Sequence, residues 1–163
     1  MMTVFTATER RASLLQATSH GGAYGVKNLT STVEVTVATS TGDTINFGYI
    51  PSNARILGNS RLYWDDMATT GAPTMDLGLA AVNGNLAQAD DPDALSNGHA
   101  MATATPTGAG AVAPVENFGL PAWDLVASET ADPGGMLKVY GTMLDAVTTQ
   151  TGTATLELYY VVD

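Results

Sequence analysis

The sequence predicts an all-β protein: an eight-stranded, jelly-roll-like sandwich with an extended N-terminal arm and one short helix. Three observations carry that expectation. From Val33 onward, apolar and polar residues alternate with period two in several separate runs, the signature of half-buried strands. Those runs are joined by turns of Gly, Pro and Thr at the spacing of a sandwich or jelly roll. A strong helix-start signal stands at one place, Asp90-Asp91-Pro92-Asp93. One long loop and one short helix among eight strands favour the jelly roll, with an immunoglobulin-like sandwich as the alternative.

A chain of 163 residues is long enough for one domain with a real core. The absence of cysteine excludes disulfides and thiolate metal sites, and fits folding in a reducing cytoplasm. The opening stretch, MMTVFTATERRASLLQ, lacks the apolar core of a signal peptide, and no run approaches transmembrane length. A soluble protein made in the cytoplasm, with no membrane partner, is expected.

Charge divides the chain at about residue 32. Residues 1–32 carry Arg10, Arg11 and Lys27 against Glu9, whereas residues 33–163 carry Arg55, Arg61 and Lys138 against fifteen carboxylates. The acidic body would be repelled by phosphates, which argues against a nucleic-acid partner. The asymmetry suggests that the two segments meet different partners. Residues 1–32 show no clean periodicity, although Arg10 to Thr18 is compatible with a short helix stopped by His20-Gly21-Gly22. They read as an arm that orders on a partner, or as a frayed terminus; residues 33–163 read as the β-domain.

The elements of that domain follow in order. Val33, Val35 and Val37 share one face, opposite Glu34, Thr36 and Ala38. Ser40-Thr41-Gly42-Asp43 reads as a turn, and Ile45, Phe47 and Tyr49 resume the alternation, so a hairpin is expected. Pro51 lacks an N–H and ends that strand. Ala54 to Asp65 is the longest strand. Ile56, Leu62 and Trp64 point one way, and Leu57, Arg61 and Tyr63 the other. Large side chains on both faces put one in the core and offer the other, Leu57, Arg61 and Tyr63, to a neighbouring subunit. Gly58 and Ser60 predict a bulge or bend between the halves.

Met75, Leu77 and Leu79 alternate in the next strand. Asp91 as cap, Pro92 at the first helical position and Asn97-Gly98 as a stop predict a helix of about two turns. Residues 98–115, almost all Ala, Gly, Thr, Pro and Val, predict a long loop. Strands are expected again over Trp123–Ser128, Gly135–Asp145 and Thr153–Val162. In the last, Ala154, Leu156, Leu158, Tyr160 and Val162 share the core face.

Reactive constellations are hard to find. His20 and His99 have no ligand or paired carboxylate at metal-binding spacing. Composition leaves a Ser-His-Asp triad open, but no Gly-x-Ser-x-Gly elbow occurs. Asp90, Asp91 and Asp93 have the hard oxygens that suit Ca²⁺, without EF-hand spacing, and helix capping also explains them. Trp64, Tyr63 and Trp123 would make a sugar-stacking platform if exposed, though aromatics on strands more often fill cores or subunit contacts. Gly-Ala-Gly at 108–110 lacks the lysine of a phosphate loop. No catalytic residue, metal ligand or cofactor is expected.

The run Ile50-Pro51-Ser52-Asn53-Ala54-Arg55-Ile56-Leu57-Gly58-Asn59, followed after a loop by Thr74-Met75-Asp76-Leu77-Gly78, resembles a pattern in short structural proteins of tailed bacteriophages. Those are the decoration, or cement, proteins of phage heads. The resemblance covers roughly residues 45–80 and rests on fold-determining residues, so it transfers no catalytic group. It implies a structural protein on the outer capsid surface that cements neighbouring major capsid subunits. A homotrimer made in the host cytoplasm and carried in the virion is the expected form. Arg10, Arg11 and Lys27 are then candidate capsid contacts of the arm, and Leu57, Arg61 and Tyr63 candidate contacts between subunits. The alternatives are a low-copy neck or tail protein and a carbohydrate-binding jelly-roll module.

Overall fold

The computed structural model describes residues 4–6, 25–82, 90–127 and 129–162. The chain forms strands β1 Val4–Thr6, β2 Lys27–Val35, β3 Thr44–Pro51, β4 Ala54–Ile56, β5 Arg61–Trp64, β6 Thr74–Ala81, β7 Asp91–Ala100, β8 Ala109–Gly110, β9 Met136–Met143 and β10 Gly152–Val162. One sheet runs β1-β3-β9-β6-β7; the other runs β2-β10-β5-β8, with β4 also on β10. With β4 and β5 counted as one interrupted strand and β1 set aside, the chain order of the sheets is 1-8-3-6 and 2-7-4-5. That is jelly-roll order, and the expected all-β sandwich is the fold.

Most strands bury alternate residues between the two sheets, whereas β6 buries six in a row, Met75–Ala80, because its outer face is covered as well. In β10, Ala154, Leu156 and Leu158 are buried while Thr155, Glu157 and Tyr159 are half-exposed. Facing them across the core are Ile45, Phe47 and Ile50 of β3, Leu77 and Leu79 of β6, and Leu137 and Val139 of β9. The turn at 40–43 forms as expected: the Ser40 N–H donates to the Asp43 carboxylate at 2.8 Å, and the Asp43 N–H to Ser40 O at 3.0 Å. The hairpin does not. β2 pairs with β10 and β3 with β9, because both strands have an apolar face and they bury those faces against each other rather than edge to edge. β2 also starts earlier than Val33, at Lys27, and ends at Val35, leaving Val37 exposed in the turn.

The long strand expected over 54–65 is a single track with an interruption. Ile56 lies opposite Tyr160 and Arg61 opposite Glu157, so the four residues 57–60 stand against two, 158–159. The buried Ser60 hydroxyl fills the break. It accepts the Tyr159 N–H at 2.9 Å and donates to Tyr159 O at 3.3 Å, while the Leu57 N–H reaches the same carbonyl at 2.8 Å. Because the excess is even, the face assignment survives. Ile56, Leu62 and Trp64 are all buried, and Leu57, Arg61 and Tyr63 are half-exposed on the other side.

The short helix expected after Asp90 is a strand. The 91–100 segment pairs with β6 through two register shifts, and Ala94, Leu95 and Ser96 are buried. The Asp91 carboxylate, which as a cap would accept from the next turn, instead accepts the Ala127 N–H at 2.8 Å. Gly78 makes the arrangement possible, since a side chain there would run into the Asp91 and Pro92 backbone. Local capping chemistry is therefore overridden by burial of the Ala-Leu-Ser run. The strand expected over 123–128 is instead a 3-10 turn, Ala122–Leu125, which closes on itself after Pro121 through the Asp124 N–H to Pro121 O bond. A second such turn spans Val115–Asn117. Much of the expected 98–115 loop is bound to the sandwich: Met101, Ala111 and Val112 are buried, and the Ala111 and Ala113 N–H groups donate to Ser60 O and Leu95 O.

A polar latch ties that strap to both sheets. Ser96 Oγ lies 2.7 Å from His99 Nε2 and 3.3 Å from Ala111 O, and the His99 ring meets Trp64 edge-on with centroids 5.5 Å apart. Trp64 Nε1 donates to Thr103 O at 2.9 Å. Burial holds the His99 imidazole below the ordinary histidine range, against a partial opposing pull from Asp76.

Two outcomes follow from these contacts. Ser60→Ala leaves the Tyr159 N–H unsatisfied, which costs about 1–3 kcal/mol. In a domain of this size that lowers the thermal midpoint by roughly 2–4 °C per kcal/mol; a midpoint within 1 °C of wild type would remove Ser60 from its role. For His99 the folded form binds its proton more weakly than the unfolded chain does. Its contribution is whole above the ordinary value of 6.5 and is lost as pH falls from there through the lowered folded value. Denaturant melts from pH 7.5 to 5 should show wild type losing stability and His99→Gln losing less; parallel curves would contradict this.

Candidate functional site

Those candidate residues that the structure describes, Lys27, Leu57, Arg61 and Tyr63, are exposed or half-exposed. Arg10 and Arg11 lie outside the described residues. Lys27 is exposed at the start of β2, opposite Tyr160 of β10. The ends of the expected arm are attached: Val4–Thr6 pair in parallel with Thr44–Asn46, and the chain rejoins the other sheet at Lys27.

Leu57, Arg61 and Tyr63 do share the outer face of the β5 track, and each is half-exposed with partners inside the chain. Arg61 Nη1 donates to Gly58 O at 3.2 Å and Ser60 O at 3.1 Å, so the guanidinium folds back over the bulge. The Tyr63 hydroxyl donates to Glu157 Oε2 at 3.2 Å. Desolvation, then the Glu157 charge, pushes the phenol above its ordinary range. The surrounding face is polar and rich in threonine, with Thr32 Oγ1 and Thr155 Oγ1 2.8 Å apart across the β2–β10 ladder.

Beside the bulge lies a feature that the sequence did not announce. The Phe118 ring seats over Gly58, where a Cβ would stand 2.6 Å from it. Arg55 Nη1 donates to Gly119 O at 2.9 Å and the Gly119 N–H to Ile56 O at 3.1 Å, so this loop is held firmly. It nonetheless exposes Phe118 by 40% and Val115 by 70%. Next to it opens a cleft of about 520 Å³ whose polar lining is Asp91, Asp93, Asn97 and Asn117. The sequence gives no sign of the cleft, because its capping residues predict a helix after Asp91 and its composition a loop over 98–115.

The titratable side chains at these places have structural partners. Ser96, His99 and Asp76 are neighbours, but Ser96 is 3% exposed and its hydroxyl already serves Ala111 O and His99. Asp76 accepts the Gly98 N–H at 2.8 Å, so the group acts as the latch described above. Of the carboxylates considered for Ca²⁺, Asp90 accepts the Ala81 N–H at 3.2 Å and Asp91 the Ala127 N–H. Asp93 shares a hydrogen bond with Asp91, which raises its affinity for a proton. Among the described residues no group of three or more His, Cys, Asp or Glu is placed to hold a metal ion. Trp64 is 8% exposed in the core, so it cannot form a stacking platform with Trp123. No helix among the described residues is long and apolar enough to cross a membrane.

No protein-family model matches the chain, and no curated protein matches it. A solved structure does: a chain of the capsid of Ralstonia phage GP4 matches with a TM-score of 0.57 and 20% identity, over 99% of this chain and 99% of that one. At that identity the likeness is one of fold, and it extends over the whole jelly roll.

Proposed function

We propose that this chain is a structural protein of a tailed-phage head, lying on the outer capsid surface and bridging neighbouring major capsid subunits. The observation that carries the reading is the end-to-end fold likeness to a chain of a phage capsid, in which neither chain has a substantial part left over. The chemistry of the molecule supports it. The described surface offers loops and sheet faces suited to contact, and His99, Asp76 and Asp91 are committed to structural hydrogen bonds. Cementing a shell against internal pressure requires buried contact area repeated many times, and interfaces of about 1,600 Å² suffice for specific attachment.

In this reading the basic residues of the first segment, Arg10, Arg11 and Lys27, make the attachment to the major capsid protein, because they are segregated from an otherwise acidic chain. Opposite charges at the rim of an interface speed encounter and make binding sensitive to salt.

Purified protein added to heads that lack it should bind saturably and raise the temperature at which the heads release DNA. Arg10→Glu/Arg11→Glu should weaken that binding by roughly tenfold or more while leaving the circular dichroism of the free protein unchanged, a loss of at least ~1.4 kcal/mol. Equal binding by this variant would rule out the arm as the contact. Failure of the wild-type protein to bind any head would overturn the capsid-surface reading itself.

A further inference from the structure

The strap from Met101 to Ala113 ties one edge of the sandwich together. Toward the β5 sheet, the Thr105 N–H donates to Trp64 O at 2.9 Å and the Trp64 indole donates to Thr103 O at 2.9 Å. The Ala111 N–H reaches Ser60 O at 3.1 Å on the same side. Toward β7, the Ala113 N–H donates to Leu95 O at 2.7 Å and the Ser96 hydroxyl to Ala111 O at 3.3 Å. His99 stands where the two sides meet. Its Nε2 lies 2.7 Å from Ser96 Oγ, and its ring meets the Trp64 indole edge-on. Within the strap, Met101, Ala111 and Val112 are buried.

We propose that His99 is an acid-operated release for this strap: a proton on its imidazole lets residues 101–113 lift away while both sheets stay folded. Three observations carry the inference. First, the imidazole is wedged between an indole and a hydroxyl, neither of which carries charge, so an imidazolium there is poorly solvated. The charged side chain facing it from β6 is Asp76, whose Oδ1 already accepts the Gly98 N–H at 2.8 Å. Its pull favours the proton, but burial outweighs it, so the folded imidazole binds a proton less readily than an open one.

Second, residues 101–113 contain no ionisable side chain, so nothing else in the strap answers to acid. On β5, Arg61 and Tyr63 alternate with Trp64 and occupy the outer face. On β7, Asp91 and Asp93 lie toward the other end of the strand, and Asp91 is held by the Ala127 N–H. Third, the strand within the strap, β8, is two residues long, whereas β9 is laddered on both sides by β3 and β6. Segments with such short ladders open on their own, below the cost of unfolding the whole. Release uncovers the Trp64 indole and the buried parts of Met101, Ala111 and Val112, so the acid form presents apolar surface that the neutral form hides. Opening takes up one proton between the ordinary histidine value of 6.5 and the lowered folded value. The strap therefore loosens as pH falls through that window and no further below it. The inference concerns the free chain and does not depend on a capsid partner.

Amide hydrogen exchange by NMR, expressed as protection factors from pH 7.5 to 5, separates the strap from the rest of the fold. Protection of Thr105, Ala111 and Ala113 should fall below pH 6.5 by up to about tenfold per pH unit, the limit for uptake of a single proton. Val139 on β9 should keep its protection. In His99→Gln, which retains a hydrogen-bonding partner for Ser96, the strap amides should show no such fall. In Trp123→Phe, Trp64 is the remaining tryptophan, and acrylamide should quench it more strongly at pH 5 than at pH 7.5. Strap amides that stay protected in wild type, or a Trp64 that stays shielded, would overturn the proposal. So would protection lost at Val139 together with the strap, which is global unfolding. An equal fall in His99→Gln would assign the effect to other groups and would also overturn it.

Discussion

A two-residue excess in one strand organises much of this molecule. β10 is the longest strand and carries β2 on one side and the 54–64 track on the other. That track is two residues too long for its partner, and the surplus is gathered at 57–60. Had it been one residue, either Ile56 or the Leu62–Trp64 pair would have turned outward, and half of this sheet's core contribution would be lost. The Ser60 hydroxyl stands in for the missing ladder bonds and keeps both halves registered. Its consequences spread outward. The bulge presents Gly58, Gly58 admits the Phe118 ring, and the segment from Pro114 to Leu125 is thereby strapped along the edge of the sandwich.

The parts of the fold that were legible in sequence are those where a local period states a global fact. Ala154, Leu156 and Leu158 alternate with half-exposed Thr155, Glu157 and Tyr159 because β10 has one dry and one wetter face, and alternation needs no knowledge of the partner. The interrupted long strand was legible for the same reason, with Gly58 and Ser60 as punctuation. Whether two neighbouring strands share a sheet is not a local property. β2 and β3 look like a hairpin in sequence, yet they face each other across the core.

The Asp91-Pro92-Asp93 segment failed in the opposite way. Its capping residues are a true local preference, but Leu95 and Ser96 gain more by burial against β6, and the deciding residue, Gly78, is thirteen positions before Asp91. The surfaces were the least legible of all. Leu57, Arg61 and Tyr63 were placed on the correct outer face, but their internal partners, Gly58, Ser60 and Glu157, depend on the bulge and on β10. The Phe118 loop depends on topology and left no signal in the residues themselves.

The Asp43, Asp76 and Asp91 carboxylates and the His99 imidazole serve internal cohesion through their hydrogen bonds. The central claim is that this protein coats a phage head. Quantitative mass spectrometry of purified particles, measuring this chain against the major capsid protein, tests it most directly. The account requires a ratio approaching one copy per shell subunit, and a few copies per particle, or none, would contradict it.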